Sequence, residues 1–186
     1  DAGGCVGSYN FDLTSPELLV VGESSISHVS CNGGQDGVFV ANVTGGTMPY
    51  SNISYSGLNS NPNPNALQAG IYQVEVTDAN DCQAQYQFEI LEPDSITAQF
   101  LFSDPSCDIL TNNSGSDGSI TVVPSGGTNN SYTYLWDDPA TQSTQTANNL
   151  TAGVYQVTIS SNNCFAQFSQ TLSPPTPINI DPIVSI

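Results

Sequence analysis

The chain has 186 residues and a formal net charge of −17 at pH 7, because it contains 17 acidic residues, one histidine and no lysine or arginine. Without cationic side chains it cannot neutralise phosphates, so binding to nucleic acid or to an anionic membrane surface is excluded. No apolar run is long enough to cross a bilayer, so the sequence predicts no membrane insertion within this segment. Stability must come from apolar burial, backbone ladders and covalent links, since ion pairs between side chains are not available.

The first predicted element, residues 1–15, carries a pattern that recurs twice further along the chain. In each copy a cysteine is followed by a small residue two positions on, an aromatic residue four on, an aliphatic residue eight on and a proline eleven on. The copies begin at Cys5, Cys82 and Cys164. In the second copy apolar residues alternate with glutamine and glutamate, a period of two that predicts a half-buried β-strand.

A second pattern opens each repeat. CNGGQDGVFVANVTGG from Cys31 aligns with CDILTNNSGSDGSITVVPSGG from Cys107, and ALQAGIYQVEVTD aligns with NLTAGVYQVTISS. Self-similarity at a fixed period is typical of repeat proteins, so we expect a segment of a longer tandem array. The predicted parts are the last strand of a preceding repeat in 1–15, complete repeats in 16–93 and 94–175, and the first strand of a following repeat in 176–186.

The fold predicted for each repeat is a β-sandwich. Short alternating runs are bounded by Gly-Gly, Asp-Gly and Asn-Pro turn signals, and no stretch has the helical period. The runs are residues 38–43, 71–76, 84–90, 120–123, 132–136 and 154–159. Regular turn signals and about seven strands per repeat favour tandem immunoglobulin-like sandwiches, an all-β class.

Tyr72 and Tyr155 each follow a glycine at the start of a predicted strand, in LQAGIYQV and LTAGVYQV. There a phenol can bond to the backbone a few residues upstream, as in the tyrosine corner of sandwich folds. The alternative is an ordinary core tyrosine. The sequence leaves both interpretations open.

The cysteines are predicted to form disulfides. Pairing Cys31 with Cys82 and Cys107 with Cys164 closes a loop of about 50 residues within each repeat, which contributes about 4 kcal/mol in the chain-entropy model. Cys5 would then find its partner in an adjacent repeat or subunit. The alternative, a metal site, lacks CxxC spacing and has a single imidazole to draw on.

These repeats resemble the SprB repeat, whose pattern runs C-x-G-x-x-D-G, V-x-V-x-G-G, P-Y-x-Y-x-W, L-x-A-G-x-Y-x-V-x-V-x-D and a closing cysteine. The first repeat has the matching residues Cys31, Gly33, Asp36, Gly37, Gly45, Gly46, Pro49, Tyr50, Leu67, Ala69, Gly70, Tyr72, Val74, Val76, Asp78 and Cys82, but not the tryptophan. The second has Cys107, Asp117, Gly118, Gly126, Gly127, Tyr132, Tyr134, Trp136, Leu150, Ala152, Gly153, Tyr155, Val157 and Cys164. It departs from the pattern by an insertion after its first cysteine and by the loss of the proline.

The resemblance implies a repeat of a very large cell-surface adhesin or filament protein of Bacteroidetes, the group in which the family occurs. The implied location is extracellular, at the cell surface, and the implied role is reach, stiffness and multivalent attachment. The expected partners are neighbouring repeats or subunits joined head to tail, with surface glycans or other cells as targets. A role in gliding motility is compatible with the resemblance and is not required by it.

No catalytic residue and no cofactor are predicted, so we expect this chain not to be an enzyme. The one imidazole, His28, lies three residues before Cys31, and the second repeat has Asp104 in its place, so a triad would lack a partner that the repeat keeps.

Calcium is the metal that would suit the acidic turns. Asp36, Asp78, Asn80 and Asp81 offer carboxylate and carbonyl oxygens near one cysteine pair. The competing interpretation is ordinary turn chemistry in Asp-Gly and Asp-Ala-Asn. The second repeat aligns Ser160 with Asp78, a change that a shared metal site would tolerate poorly.

Ser95 is a candidate for O-glycosylation. The tripeptide Asp94-Ser95-Ile96 looks like the short Asp-Ser-apolar sequence that Bacteroidetes O-glycosylate, and it lies at the junction between repeats. The plainer interpretation is a turn that starts the next strand.

Two other functions compete with the adhesin repeat. A glycan-binding module would use exposed aromatic residues such as Tyr55 or Trp136. A subunit of a non-covalent filament would lend its terminal strand, residues 5–13, to the sheet of the next subunit.

Overall fold

A computed structural model describes residues 3–4, 7–58, 62–108 and 113–176. Over these ranges every regular element is a strand. The described residues contain no helix long and apolar enough to cross a membrane. The strands are β1 (Val20–Ser27), β2 (Val38–Thr44), β3 (Asn52–Ser56), β4 (Gly70–Thr77), β5 (Gln83–Ile90), β6 (Asp94–Ser103), β7 (Cys107–Asp108), β8 (Asn113–Ser114), β9 (Gly118–Gly127), β10 (Thr133–Trp136), β11 (Thr146–Leu150), β12 (Gly153–Ser161) and β13 (Cys164–Leu172). All pairings between these strands are antiparallel.

The chain divides into two compact units. Unit 1 comprises Asp1–His28 and Asp36–Ile90, and unit 2 comprises Val29–Gln35 and Leu91–Ile186. The seven residues Val29–Gln35 therefore pack with unit 2 although they belong to the first repeat by sequence.

Unit 1 has two sheets, β1-β2 and β3-β4-β5. Alternate residues of β4, namely Tyr72, Val74 and Val76, are buried, as the period of two predicts. Phe39 from the first sheet stacks on Phe88 from the second with ring centroids 3.6 Å apart, so the core lies between the two sheets.

Unit 2 has the sheets β11-β9-β6 and β10-β12-β13 and a short β7-β8 hairpin. Its core brings together residues of both three-stranded sheets around the tryptophan. The buried residues are Ile120, Val122, Trp136, Ala147, Leu150, Tyr155, Val157, Ile159 and Leu172. Two antiparallel sheets that share one core make this unit a β-sandwich.

The predicted all-β class is confirmed, and each predicted run falls on a strand of the structure. The number of strands differs between the units, however. Unit 2 has β11 paired with β9, with Leu150 opposite Gly118. In unit 1 the corresponding pair, Leu67 and Gly37, forms only an isolated bridge. The preceding segment contains Pro62 and Pro64, which have no N–H to donate to a ladder, and the described residues of unit 1 form five strands where about seven are predicted.

The predicted terminal strands have a different outcome. Residues 7–19 belong to no strand of this chain, and the prediction that 1–15 is the last strand of a preceding repeat concerns a sheet outside this chain and stays a prediction. A strand requires a ladder partner, and both units already have their own last strand in β5 and β13. Cys5 and residues 177–186 of the predicted following strand lie outside the described residues. The division into repeats at 16–93 and 94–175 stays a prediction.

Candidate functional site

The paired glycines of the repeat motif form a corner that only glycine can occupy. Gly45 and Gly126 have φ angles of 68° and 80°. A Cβ on Gly45 would lie 2.0 Å from the carbonyl oxygen of Leu18, and one on Gly126 would lie 2.1 Å from that of Ser95. The backbone thus passes too close at this corner, in both units, for any side chain.

The next aromatic residue of the motif closes the same corner. The Tyr50 hydroxyl donates to the Gly45 carbonyl at 3.0 Å, and the Tyr132 hydroxyl donates to the Gly126 carbonyl at 2.7 Å. In each unit the phenol thus satisfies a backbone carbonyl at this corner. These motif residues hold the fold together rather than face a ligand.

Tyr72 and Tyr155 make the bonds that define a tyrosine corner. Each phenol donates to a carbonyl four residues upstream, Tyr72 to Gln68 at 3.1 Å and Tyr155 to Thr151 at 2.9 Å. Both rings are also buried in the core, so each residue combines the two interpretations that the sequence left open.

Asp78 is buried and its carboxylate organises a turn. It accepts N–H bonds from Thr47 at 2.9 Å, from Asn80 at 2.8 Å and from Cys82 at 2.9 Å. The Thr47 bond, above all, holds the pKa of Asp78 below its ordinary value, and the bonds from Cys82 and Asn80 add to this against the opposing effect of burial. The carboxylate therefore links the loop after β2 to the turn between β4 and β5.

The counterpart of Asp78 in unit 2 is Ser161 rather than the expected Ser160. A Cβ on Gly46 would approach the Asp78 carboxylate, and a Cβ on Gly127 would approach the Ser161 side chain. The Ser161 hydroxyl bonds to the Asn129 carbonyl at 3.1 Å. Since the cysteine follows the motif tyrosine by ten residues in unit 1 (Tyr72 to Cys82) and by nine in unit 2 (Tyr155 to Cys164), counting back from the cysteine shifts the alignment by one.

The four residues proposed for calcium do not form a ligand cluster. Where the structure describes the chain, no group of three or more His, Cys, Asp or Glu side chains could hold a metal ion. The Asp78 oxygens face N–H donors, the Asn80 amide donates to Thr47 at 2.9 Å, and Asp36 and Asp81 are exposed. Asp81 has a φ of 62°, as expected of a turn residue. The turn interpretation accounts for these contacts, and calcium stays a prediction.

Asp138 is a buried carboxylate that sequence reasoning missed. Only 3% of it is exposed, and it accepts bonds from Ala140 N at 3.0 Å and from Gln142 N at 2.8 Å and Nε2 at 3.0 Å. Burial alone would raise its pKa, but the bonds from Gln142 and Ala140 outweigh burial and the pKa is lowered. The signal in the sequence was Asp138 followed by Pro139, which is typical of a turn.

The aromatic residues proposed as glycan contacts differ in exposure. Trp136 is 1% exposed and its Nε1–H donates to the Thr144 carbonyl at 2.9 Å, so its face is not available to a sugar. Tyr55 is half-buried on β3, and burial raises its pKa. The prediction that Trp136 is exposed is wrong because its ring fills the core of unit 2.

The disulfide differs from both predicted pairs. Cys31 is bonded to Cys164, with their Cα atoms 5.5 Å apart, a separation within the range that a disulfide requires. Cys82 is an exposed free thiol and Cys107 is a half-buried free thiol. The predicted pairs Cys31–Cys82 and Cys107–Cys164 are wrong because Val29–Gln35, which carries Cys31, packs into unit 2.

Backbone and side-chain contacts hold this segment in unit 2. Val29 is buried and its N–H donates to the Leu91 carbonyl at 3.1 Å. The Asn32 amide donates to the Pro93 carbonyl at 3.1 Å, and the Gly33 N–H donates to Glu92 Oε2 at 2.7 Å. The acceptors are three consecutive residues, 91–93, of the proline-containing stretch between the repeats.

A cavity of about 290 Å³ lies beside the disulfide within unit 2. Pro93, Ile96 and Ala166 contribute to its lining, and Ser95, the candidate glycan acceptor, lies exposed on it at the start of β6. Accessibility is what modification requires, and the modification itself stays a prediction. His28 is exposed as well.

Comparison with known families finds a match for two stretches of the chain. Residues 24–51 and 102–141 match the SprB repeat. The first stretch contains Cys31 and the Gly45–Tyr50 corner, and the second contains Cys107, the Gly126–Tyr132 corner and Trp136. The predicted resemblance to the SprB repeat is confirmed, and its matched residues include both corners described above.

Solved structures give only distant likenesses. The structure of the amphioxus IgVJ-C2 molecule matches with a TM-score of 0.32 and 14% identity, covering 86% of this chain and 98% of that one. A structure described as the structural basis for Dscam isoform specificity matches with a TM-score of 0.31 and 11% identity, covering 82% of this chain and 45% of that one. The all-β fold class is established by the strands and sheets themselves. Among curated proteins, none matches this chain.

Proposed function

We propose that this chain is a structural repeat segment of an extracellular cell-surface adhesin or filament. The observation that carries the proposal is that SprB-motif residues do the same structural work in both units. Gly45 with Tyr50 and Gly126 with Tyr132 build the same corner, and Tyr72 and Tyr155 make the same bond. Motif residues that stabilise the fold, and do not form a binding site, are expected in a module whose function depends on its repetition in an array.

The chemistry of the chain supports an extracellular location. A disulfide persists in oxidising compartments and is rare in the cytosol, and Cys31–Cys164 is such a bond. The absence of lysine and arginine also removes every cleavage site for trypsin-like proteases, which suits a chain exposed outside the cell.

The proposed role is mechanical and multivalent. Many weak contacts along an array raise avidity without requiring one deep site. The proposed partners are neighbouring repeats head to tail, and surface glycans or other cells as targets. The proposal assigns no catalytic activity, no cofactor and no membrane insertion to this chain, and it treats a contribution to gliding as one form that surface attachment can take.

The test is surface labelling of the cells that make this protein. Antibodies raised against the folded chain are expected to label intact cells, and deletion of the gene is expected to reduce attachment to surfaces or to other cells. Labelling that appears only after permeabilisation would contradict the proposal. A chromosomal His28→Ala variant tests whether attachment depends on the one imidazole of the chain, as an enzymatic role would require. We expect cells with this variant to attach as well as the parent cells.

A second candidate function, filament assembly by strand exchange, is favoured by residues 7–15. Tyr9, Phe11 and Leu13 are 88%, 70% and 89% exposed, and they alternate as strand residues do. The residues that align with Phe11 and Leu13 in unit 1 are Phe88 and Ile90, which are buried. The segment thus has the apolar face of a last strand without a sheet to cover it, and in another copy of this chain it could replace a resident last strand, β5 or β13.

Strand exchange is tested by concentration-dependent association. If the segment pairs with another copy, the full chain elutes as larger species on gel filtration as its concentration rises. A chain that starts at residue 16, or the double variant Phe11→Asp and Leu13→Asp, would then stay monomeric. A full chain that remains monomeric at all concentrations contradicts exchange between copies and favours pairing within one long polypeptide.

A further inference from the structure

The disulfide joins cysteines that occupy different places in the repeat pattern. Cys31 and Cys107 each open a repeat, whereas Cys82 and Cys164 each begin a last strand. The bond between Cys31 and Cys164 spans 133 residues and therefore joins the opening cysteine of one repeat to the last-strand cysteine of the next. Neither repeat forms a bond within itself.

This register is supported by packing as well as by the bond. Val29–Gln35 is anchored to residues 91–93 by three hydrogen bonds, and the buried Val29 adds apolar contact. Cys31 is therefore presented to Cys164 by a segment that is already held in place. At the next junction the positions that align with Val29 and Glu92 are Pro105 and Pro174, which cannot make the same bonds, so there the register rests on the equivalence of the cysteines themselves.

We propose that in the tandem array the opening cysteine of every repeat bonds to the last-strand cysteine of the following repeat, so that one disulfide staples each junction. Under this rule Cys107 bonds to the last-strand cysteine of the repeat that follows. Cys82 bonds to the opening cysteine of the repeat that precedes. The two free thiols are thus the unfilled halves of two further staples, and the inference rests on the proposed role as part of an array.

The accessibility of the free thiols agrees with this assignment. Cys82 is exposed and Cys107 is half-buried, so neither residue is enclosed in a core. The equivalents of these two thiols, Cys164 and Cys31, are bonded to each other in this same structure.

Each junction disulfide forms by thiol–disulfide exchange. Two thiols lose two protons and two electrons as the S–S bond forms, and the electrons reduce the disulfide of a thiol oxidoreductase of the oxidising compartment to its dithiol. Attack by one thiolate gives a mixed disulfide, which the second cysteine resolves.

The staples would limit how far the array can be stretched. The loop from Cys31 to Cys164 overlaps the loop that begins at Cys107, so each successive loop starts before the previous one ends. A pulling force then crosses each loop through its S–S bond, so the chain between Cys31 and Cys164, a separation of 133 residues, cannot be drawn out to its full length while the bond remains oxidised. This makes the array strain-limited in addition to being long.

The test is a tandem chain that carries residues 16–175 twice, produced in an oxidising compartment. Free thiols are counted by alkylation under denaturing conditions and mass spectrometry. The proposal predicts two free thiols, Cys82 of the first block and Cys107 of the second. Pairing within repeats predicts none, and absence of a staple between the blocks predicts four, so either of those counts overturns the proposal.

A matched pair of variants makes the test specific. Cys82→Ser in the second block is expected to release Cys107 of the first block and raise the count to three. The same substitution in the first block is expected to lower the count to one. Equal counts for the two variants overturn the proposal, and so does a tandem chain without the Cys31–Cys164 bond in either block. The thiol count depends only on disulfide register, so its failure is distinct from failure of surface labelling.

Discussion

The glycine at the corner after β2 gives the sharpest prediction at the scale of single residues. Gly45→Ala places a Cβ against the Leu18 carbonyl and strains a residue with a φ of 68°. Left-handed strain at a non-glycine residue costs about 1–3 kcal/mol, so unit 1 should lose at least that much. Chemical denaturation followed by circular dichroism measures it.

The control for this substitution lies in the same unit. Gly22→Ala in β1 adds a methyl group that meets no atom within 4 Å. We expect a change within about 0.5 kcal/mol, as for most surface substitutions. Equal effects of the two substitutions would show that the corner is not constrained as described.

Removing the hydrogen bond of the tyrosine corner in unit 2 should lower the free energy of unfolding by less than Gly45→Ala does in unit 1. Tyr155→Phe removes the bond to the Thr151 carbonyl and keeps the buried ring, so the loss should be about 0.5–1.5 kcal/mol. Trp136 is the one tryptophan and lies in the core of unit 2, so its fluorescence reports unfolding of this unit. Tyr9→Phe, at an exposed ring, should leave the transition unchanged. An unchanged free energy of unfolding in Tyr155→Phe would contradict a stabilising bond between the Tyr155 hydroxyl and the Thr151 carbonyl.

The lowered pKa of Asp78 predicts a dependence on pH. A carboxyl whose pKa is lower in the folded state contributes stability above its unfolded-state pKa of about 3.9, and this contribution is lost as pH falls through the folded-state pKa. Asp78→Asn should therefore unfold at a lower temperature than the parent at pH 7. The difference in melting temperature should narrow as pH falls below about 4 toward the lower folded-state pKa of the parent carboxyl. Asp12→Asn serves as an exposed control, and a difference that is constant with pH would contradict the account.

At the scale of elements, the last strand of a repeat shows how context determines the role of one pattern. Leu172 is 1% exposed in β13, whereas Leu13, at the equivalent position, is 89% exposed. Leu172→Ala should cost about 2–5 kcal/mol, because it leaves a cavity in the core, and Leu13→Ala should cost nothing measurable in this chain. A large effect of Leu13→Ala would mean that residues 7–15 pack against a sheet in solution.

The strands were predictable from sequence because their signal is local. Alternation in residues 71–76 and 154–159 requires one buried face, and β4 and β12 follow it closely. The sequence does not predict that Gly37 and Leu67 form only an isolated bridge. Prolines in the preceding segment disfavour ladder hydrogen bonds, but the apolar–polar alternation of the neighbouring strands is the same with or without a ladder there.

The disulfide was not predictable because it depends on non-local packing. Loop length and spacing allow Cys31 to pair with either last-strand cysteine. The choice is made by contacts of Val29 and Gly33 with residues 91–93, which no pattern in the sequence displays. The insertion after Cys107 and the shorter turn before Cys164 further obscure the equivalence of the repeats.

At the scale of the whole molecule, the two units share the glycine–tyrosine corner and the tyrosine corner, and they differ in the structural features around them. Unit 2 has the tryptophan, the β11 strand and the Asp138 turn, whereas unit 1 has the Asp78 turn and a stack of aromatic rings. Such variation around a constant frame is what a repeat array tolerates, since each module needs only a stable core and a correct connection to its neighbours.

The measurement that tests the account most directly is the size of the native protein on a denaturing gel, run with and without reductant and probed with an antibody to this chain. A tandem array predicts a species of hundreds of kilodaltons that persists with reductant, because its repeats belong to one polypeptide. A species near the 19.5 kDa of this chain in the presence of reductant would contradict the array and indicate a small subunit that assembles with copies of itself.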